Sequence, residues 1–516
     1  MNFCKTWLAA VLVFAGSTSF ALPNLGDGAE MSPAKERRLG DSIARSLYRD
    51  ADYLEDPVVM DYVQSIWQPL LASAKKRGDV PQDLADTFAW EILLGRDRSV
   101  NAFALPGAYF GLHLGLVGVV SSRDELASVL AHELSHVTQR HIARNIAHQN
   151  AQAPWVMGAM ILGILAASKS ANNGQAANAM ITGGQALAVQ SQLNYSRDME
   201  READRVGFGV MTEAGFAAQG FVGMFEKLQQ SNRLNDSGGF AYLRSHPLTT
   251  ERISDMQNRM PLSGAASQST SAVVNSALPW SAQDLEPALI GTRARVLSNG
   301  GVDGLRVWQG DLKPAVLSAK PPAQQAAALY GGAFAALKLR DYAQSQSLSD
   351  QLRVRVKGNA AAMRLAQLLD AEIALTQGAA TRALAVLQSD SHAASRSERF
   401  LRAQAQTLQA QPAGIEQAAQ ALRAWVIERP RDAMGWGLLA AAYTAQGRNV
   451  AAVRALAQVD LLQLDYAAAL ARLRAAQDLV RSGNWGPMGP DHIEAAIVDT
   501  RAREVLQLTR EQAVER

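Results

Sequence analysis

Residues 126–141, LASVLAHELSHVTQRH, place two histidines and a glutamate within an otherwise apolar stretch. On an α-helix, side chains four residues apart lie on the same face, so His132 and His136 can bind one metal ion together. Glu133 is rotated by about 100° from His132, which directs its carboxylate toward a water molecule on the metal rather than the metal itself. The spacing therefore predicts a helix that forms one side of a zinc site.

Apolar residues on either side of this motif supply a buried face for the same helix. The alternative is a core helix that contains two histidines by chance, but buried imidazoles and a buried carboxylate would all need partners. A zinc ion supplies those partners at once. Farther along, His141 falls about half a turn from the pair if the helix continues, and we predict that His141 and His148 are surface residues.

A catalytic zinc ion usually has three protein ligands and one open position. The stretch YSRDMEREADRVGFGVM carries Glu200 and Asp204 four residues apart, and we expect Glu200 to be the third ligand and Asp204 to accept an N–H from a ligating imidazole. Glu202 is rotated by about 200° from Glu200 and is the main alternative candidate for the third ligand. Alone, this run is typical of a solvated charged helix, but the His-Glu-x-x-His helix favours metal binding.

Zinc lowers the pKa of a bound water molecule and polarises a carbonyl group, and Glu133 can move the proton. The pattern therefore predicts hydrolysis of internal peptide bonds. Downstream, SHPLTTERI offers His246 and Arg252 as further donors near the reaction. His246 either donates to the oxyanion or occupies the open position on zinc, and the sequence leaves both roles open.

The stretch SVNAFALPGAYFGLHLGL is β-like, carries Asn101 and contains a Pro-Gly pair. An edge strand beside the zinc could pair with an extended peptide substrate through backbone hydrogen bonds. An ordinary core strand explains the same composition equally well. We predict that His113, in the same stretch, is structural or exposed.

The chain divides into blocks by composition. Residues 1–21 have the basic start, apolar centre and small-x-small ending of a cleaved secretory signal peptide. We assign residues 22–262 to the protease domain, 263–300 to a Ser- and Ala-rich linker and 301–516 to an all-helical domain. The segment Ala153–Ser168 is apolar but shorter than a membrane span, and is interpreted as a buried helix, a lid or a membrane-surface contact.

The helical domain contains repeat signatures. Within WGLLAAAYTAQGRNVAAVRALAQV, small and aromatic residues occupy seven tetratricopeptide signature positions, namely Trp436, Leu439, Ala440, Tyr443, Gly447, Ala452 and Leu456. Pro430 lies where the preceding repeat should end. Short side chains at these positions allow paired helices to approach closely and bury a continuous core, so we predict a solenoid rather than an alanine-rich bundle.

The charge balance excludes one class of partner. The chain has 50 Lys and Arg residues against 48 Asp and Glu residues, for a net charge of +2. Without a basic patch or run, electrostatic capture of nucleic acid is not expected. Its only cysteine, Cys4, lies within the predicted signal peptide, so the exported chain is expected to have no disulfides.

Together, HELSHVTQRH, NAFALPGAYFGLHLGL, SRDMEREAD and SHPL, followed by helical repeats, resemble the β-barrel assembly-enhancing proteases of the Gram-negative periplasm, which are relatives of the HtpX and CAAX-prenyl-type zinc peptidases. The resemblance implies an α+β domain of the gluzincin type, mostly helical with a small sheet, followed by an all-α tetratricopeptide solenoid. It implies that His132, His136 and Glu200 bind one Zn²⁺ ion, and that His246 caps this ion in a resting state.

The same resemblance implies a periplasmic endopeptidase with chaperone-like activity. Its substrates would be unfolded or stalled outer-membrane proteins, and its repeats would contact the barrel assembly machinery. The alternative is a repeat scaffold or chaperone whose protease is capped and usually silent.

Overall fold

The computed structural model describes residues 31–148, 196–234, 241–260, 285–387, 394–487 and 489–514. The predicted signal peptide, the apolar segment Ala153–Ser168 and residues 263–284 of the predicted linker lie outside these ranges.

The N-terminal region is mostly helical. Its helices are α1 (Pro33–Tyr48), α2 (Pro57–Arg77), α3 (Gln82–Thr87), α4 (Leu114–Val119), α5 (Arg123–Thr138), α6 (His141–His148), α7 (Arg197–Glu213), α8 (Gln219–Leu234), α9 (Tyr242–Ser245) and α10 (Thr250–Arg259). Serine side chains cap the two helices that carry the predicted ligands: Ser122 Oγ accepts from the Glu125 N–H at α5, and Ser196 Oγ accepts from the Met199 N–H at α7. Such caps satisfy backbone donors that have no partner within the helix.

A small mixed sheet lies beside these helices. Its strands are β1 (Tyr53–Leu54), β2 (Glu91–Gly95), β3 (Ala102–Leu105) and β4 (Tyr109–His113), in the spatial order β1-β2-β4-β3. The central pair β2 and β4 is parallel, whereas β1 and β3 pair antiparallel to their neighbours. Strand β3 is therefore an edge strand of the described sheet, and it packs against α5.

The C-terminal region is helical throughout its described residues. Its helices are α11 (Leu285–Ser298), α12 (Val302–Asp311), α13 (Pro314–Ala319), α14 (Pro322–Lys338), α15 (Tyr342–Arg355), α16 (Ala360–Thr376), α17 (Ala380–Val386), α18 (Arg396–Leu408), α19 (Pro412–Glu428), α20 (Ala433–Ala445), α21 (Asn449–Leu462), α22 (Tyr466–Arg481) and α23 (His492–Val514). Consecutive helices pack in pairs, and α20 with α21 is the pair that contains the clearest repeat signature. The predicted fold class, a protease domain with a small sheet followed by a helical region, is confirmed.

Helix α11 joins the two regions. It lies within the span assigned to the linker, yet Leu289, Ile290 and Ala294 are buried in a hydrophobic core shared by α2, α4, α14 and α16. The Ser- and Ala-rich composition before residue 285 does not extend into this helix. The domain boundaries, including those of the 263–300 linker, stay predictions. Among the described residues, no helix combines the length and apolar character required to cross a membrane.

A cleft of about 1150 Å³ lies between the N-terminal region and the helical repeats. Tyr53 and Trp90 contribute to one wall, and Arg396 and Trp425 to the other. The residues predicted to perform chemistry line a different part of the molecule.

Candidate active site

Two helices bring the predicted ligands together. Helices α5 and α7 pack closely because Gly207 has no side chain at the crossing, where a Cβ atom would lie 3.0 Å from the Ala131 carbonyl oxygen. One turn and two turns before this glycine along α7, Asp204 and Glu200 face α5. The close approach therefore places both carboxyl groups beside the histidines of the motif.

Four side chains direct donor atoms to one point. Ligand atoms of His132, His136, Glu200 and His246 all lie within 4.8 Å of one another. The Nε2 atoms of the two motif histidines are 3.0 Å apart, and each lies 3.4 Å from a carboxylate oxygen of Glu200. Each of the four residues is at most 2% exposed. Three imidazoles and a carboxylate converging in a buried space form a donor set suited to a metal ion.

Glu133 lies beside the cluster but outside it. Its side chain is 2% exposed, and neither carboxylate oxygen has a hydrogen-bond partner among the described groups. Nε2 of His246 lies 3.5 Å from Oε1 of Glu133. A buried carboxylate without partners is costly unless water or a cation accompanies it, so this side chain supports a loaded metal site.

Asp204 and Arg252 support two members of the cluster. Oδ1 of Asp204 lies 2.9 Å from Nδ1 of His132, the ring nitrogen that faces away from the donor cluster. Arg252 contacts Asp204 through Nε at 2.6 Å and Nη2 at 2.8 Å, and Nη1 lies 2.7 Å from Glu200. The guanidinium therefore holds both carboxylates in place, which fixes the ring of His132 and the orientation of Glu200.

His246 enters the cluster from the segment between α9 and α10. Its Nδ1 lies 3.0 Å from Oε1 of Glu200 and 3.4 Å from Nε2 of His132. Tyr242 stacks on its ring with centroids 4.6 Å apart, and the Tyr242 N–H donates to the Val100 carbonyl. The segment that carries His246 is thus fastened to the chain immediately before Asn101.

Asn101 immediately precedes edge strand β3. Its backbone carbonyl accepts from the His113 N–H, its side chain is buried, and its Oδ1 has no hydrogen-bond partner among the described groups. The structure therefore places Asn101 immediately before an edge strand that packs on α5, and its role toward a substrate stays a prediction. His113 is buried and pairs with the Ser99 hydroxyl. Of the two alternatives predicted for His113, a structural or an exposed residue, the structure agrees with the first.

The prediction that His141 lies on the surface is wrong. Helix α5 ends at Thr138, Arg140 adopts the left-handed conformation with φ of 53°, and His141 begins α6. This turn carries the imidazole back against the site, where it is fully buried and its Nδ1 lies 2.9 Å from Nδ1 of His136. The prediction assumed that α5 continues without a break through residue 141, and this assumption directs the side chain of His141 away from the site. The side chain of His148 lies outside the described part of the chain.

Glu202, the competitor for the third ligand position, occupies another environment. Its Oε2 lies 3.0 Å from Nε2 of His141 and 2.9 Å from Arg144. It is absent from the converging donor set, which contains Glu200. The geometry therefore separates the two glutamates, as the rotation between them on α7 predicts.

Charge and burial set the pKa values within the site when no metal is present. Burial lowers the pKa of His132, but Asp204 and Glu200 outweigh this effect and raise it to about 9. Burial lowers the pKa of His136 well below its usual value. The pKa of Glu200 falls well below its usual range because the neighbouring imidazoles outweigh the effect of burial. His136 is thus neutral and Glu200 ionised, the forms that ligate a metal.

Sequence reasoning missed two residues that touch the site, His141 and Tyr242. The signal for Tyr242 was slight, since an aromatic residue four positions before His246 is common in any helical turn. For His141 the histidine itself was visible, but its position depends on a left-handed residue, Arg140, whose type gives no hint of that conformation.

Known proteins are similar to this chain in sequence. The model of peptidase family M48 matches residues 61–260. The β-barrel assembly-enhancing protease of Escherichia coli K12 is 29% identical over 522 residues, which are 98% of this chain and 96% of the relative. A Vibrio cholerae relative provisionally given the same name is 36% identical over 241 residues, which span 46% of this chain and about half, 47%, of that protein.

A more distant similarity covers the protease region alone. The mitochondrial metalloendopeptidase OMA1 of Saccharomyces cerevisiae is 28% identical over 205 residues, which are 39% of this chain and 55% of the relative. The converging histidines and glutamate, the family match and these relatives agree. Residues 61–260 match peptidase family M48 and carry the buried donor set of a metalloendopeptidase, and the chain is similar along nearly its whole length to the β-barrel assembly-enhancing proteases.

Proposed function

We propose that the protein is a zinc endopeptidase of the Gram-negative periplasm that degrades unfolded or stalled outer-membrane β-barrel proteins. The observation that carries the proposal is the buried donor set of His132, His136 and Glu200 beside the unpartnered carboxylate of Glu133. The substrate class rests on the names of the near full-length relatives. The predicted signal peptide supports the compartment.

Zinc is the metal that best fits the donor set. A tetrahedral ion bound at about 2.0–2.1 Å requires ligand atoms about 3.3–3.4 Å apart. Five separations between donor atoms of the cluster are 3.0 to 3.4 Å, and all the donor atoms lie within 4.8 Å of one another. Calcium and magnesium favour oxygen ligands instead, and three imidazoles favour zinc or a related transition metal.

Each residue then has a role. When bound, zinc activates a water molecule and polarises the scissile carbonyl. Glu133 accepts the proton of that water and delivers it to the leaving amine. Asp204 holds His132 in the tautomer whose Nε2 is free to ligate, and Arg252 keeps Asp204 and Glu200 oriented. Asn101 marks the edge strand along which the substrate backbone would pair.

His246 controls the open position in this proposal. Its Nδ1 completes a set of four protein donors, which is the arrangement of a closed site, whereas catalysis needs one position for water. His246 must therefore move before a substrate can be cleaved. This contact favours the capping role over an oxyanion role.

The helical repeats would hold partners and substrates. The cleft of about 1150 Å³ presents aromatic side chains together with acidic and basic ones between the two regions, and it suits an extended chain that is delivered to the protease. We infer that the partners are unfolded outer-membrane proteins and the barrel assembly machinery. Contact with the membrane surface through Ala153–Ser168 stays a prediction.

The decisive experiment uses the purified processed protein with an unfolded β-barrel protein as substrate. Glu133→Gln should retain one zinc ion per chain and lose cleavage by about 10²-fold or more, because the proton carrier is removed. Glu200→Ala should lose the metal, whereas Glu202→Ala should retain it at high zinc concentration. Wild-type protein that binds no zinc, or Glu133→Gln that cleaves normally, would contradict the proposal.

A second function, a scaffold or chaperone with a silent protease, is favoured by one observation, the fourth donor from His246. It predicts that Glu133→Gln fully rescues the envelope defect of a deletion strain. Failure of Glu133→Gln to rescue, at normal protein abundance, would assign the biological role to proteolysis.

A further inference from the structure

A series of hydrogen-bonding side chains extends from the donor cluster to the protein surface. His136 faces the cluster with Nε2, and its other ring nitrogen, Nδ1, lies 2.9 Å from Nδ1 of His141. The opposite nitrogen of His141, Nε2, lies 3.0 Å from Oε2 of Glu202. Arg144 contacts the same oxygen at 2.9 Å. His141 is fully buried, whereas the side chain of Glu202 is 31% exposed.

The positions of the protons follow from the geometry. An imidazole that binds a metal through Nε2 is neutral and carries its proton on Nδ1. His136 must then donate to Nδ1 of His141, so that nitrogen has no proton. The proton of His141 therefore resides on Nε2, where the carboxylate of Glu202 accepts it. With these proton positions, every donor in the series from His136 to Glu202 meets an acceptor. The carboxylate of Glu202 favours this assignment because it can only accept a hydrogen bond.

We propose that His141 and Glu202 are positioning residues that hold His136 in its metal-binding orientation and tautomer through an imidazole relay. The inference rests on the proposed zinc site. It assigns the two motif histidines different supports: Asp204 contacts Nδ1 of His132 directly at 2.9 Å, whereas Glu202 reaches His136 only through His141.

The local backbone is built to place His141. Arg140, with φ of 53°, interrupts the helix, and its guanidinium contacts the buried carboxylate of Glu36 and the carbonyl of Met31. These contacts anchor the turn between α5 and α6 to the start of α1. A side chain that only filled space in this position would not need both ring nitrogens aligned with polar partners.

The test measures zinc affinity, by competition with a chromophoric chelator, and the visible absorption spectrum of the cobalt-substituted protein. Glu202→Gln and His141→Phe should each weaken zinc binding by about 10- to 100-fold, the range found when the support of a ligand is removed. His141→Gln keeps an acceptor and a donor, so it should restore part of the affinity lost in His141→Phe. The cobalt spectrum should shift in His141→Phe because the imidazole of His136 reorients.

Glu213→Gln is the matched control. Glu213 is on the same helix, α7, and pairs with Lys76 and Arg77 outside the relay, so its loss should change zinc affinity by less than about twofold. Equal zinc affinity in His141→Phe, Glu202→Gln and Glu213→Gln would overturn the relay and leave His141 as a packing residue. If the zinc affinities of the variants follow the expected order but the wild type shows no proteolysis, the relay is upheld and the proposed peptidase function is rejected.

Discussion

In the proposed function, the state of the active site depends on one side chain, His246. It contributes a fourth donor atom to the cluster, and stacking on Tyr242 holds its ring there. A protein ligand in the open position competes with the water needed for hydrolysis. Under the proposed capping role, this structure is a closed form of the enzyme, and opening would require only that one imidazole leaves a cluster that keeps three other ligands.

Removing this imidazole should activate the enzyme. His246→Ala is expected to cleave casein at least about tenfold faster, if the open form of the wild type is populated at about 10% or less. The measurement is the initial rate of the zinc-loaded protein, and the double variant with Glu133→Gln serves as the inactive control. A lower rate with zinc still bound would instead assign His246 to oxyanion stabilisation.

At the scale of elements, the site depends on the crossing of α5 and α7. Gly207 permits this crossing, because a Cβ there would approach backbone atoms of Ala131 and His132 at 3.0–3.1 Å. Gly209, on the same helix, instead faces the end of the flexible Arg77 side chain. The two glycines therefore offer a matched comparison.

Gly207→Val should separate the helices and lower stability by about 1–3 kcal/mol, the usual cost of overpacking. It should also weaken zinc binding, since Glu200 is carried away from the histidines. Gly209→Val, with the same β-branched side chain, should change zinc affinity little because Arg77 can move aside. Chelator competition and thermal unfolding measure both effects, and equal zinc affinities would show that this crossing does not set the site.

Helix α20 offers a test by pH. Asp432 caps this helix by accepting from the Gly435 N–H and pairs with Arg396 at 2.7 Å. Burial raises the pKa of Asp432, but the hydrogen bond and charge of Arg396 outweigh burial and lower it below the usual 3.8. Because the folded pKa is lower than the unfolded one, the stabilisation is present above pH 3.8 and is lost as the pH falls through the folded value.

Asp432→Asn should therefore destabilise the helical region at pH 7, by about 2 kcal/mol for a hydrogen-bonded charge. The difference from wild type should shrink progressively below pH 4 as the wild-type carboxylate becomes protonated. Thermal unfolding at pH 7 and near pH 2.5 gives the comparison. A difference independent of pH would show that the charge contributes nothing.

At the scale of the whole molecule, one buried arginine connects the protease to the repeats. Arg293, on α11, contacts Asp56 at 2.8 Å and Glu372 at 2.6 Å, and its guanidinium lies over the ring of Phe334. Asp56 is the cap of α2, and Glu372 belongs to α16. The shared core and this ion network join the two regions.

Arg293→Leu should cost about 3–5 kcal/mol, because two carboxylates lose their common partner in a buried space. Arg295→Leu is the control on the same helix, since Arg295 is exposed and stacks on Trp308 without a buried acid as partner. Denaturant unfolding of both variants is the measurement. Equal losses would show that the network contributes no more than a surface side chain does.

The sequence by itself determined the chemistry, because helical periodicity fixes which side chains share a face. The i, i+4 spacing of His132 and His136 places both in the cluster, and the same rule separates Glu200 from Glu202. These are local relations, and they hold for any helix that contains the motif. The α+β order followed by paired helices was equally visible, since it depends on composition and repeat spacing.

Only the tertiary structure decided what depends on a single backbone angle or on contacts far apart in the chain. The left-handed conformation of Arg140 turns His141 from the expected surface to the back of His136. The burial of α11 places Leu289, Ile290 and Ala294 in a core shared by the two regions. Neither outcome follows from residue type, because left-handed geometry and long-range packing are set by the surrounding fold and not by the local pattern.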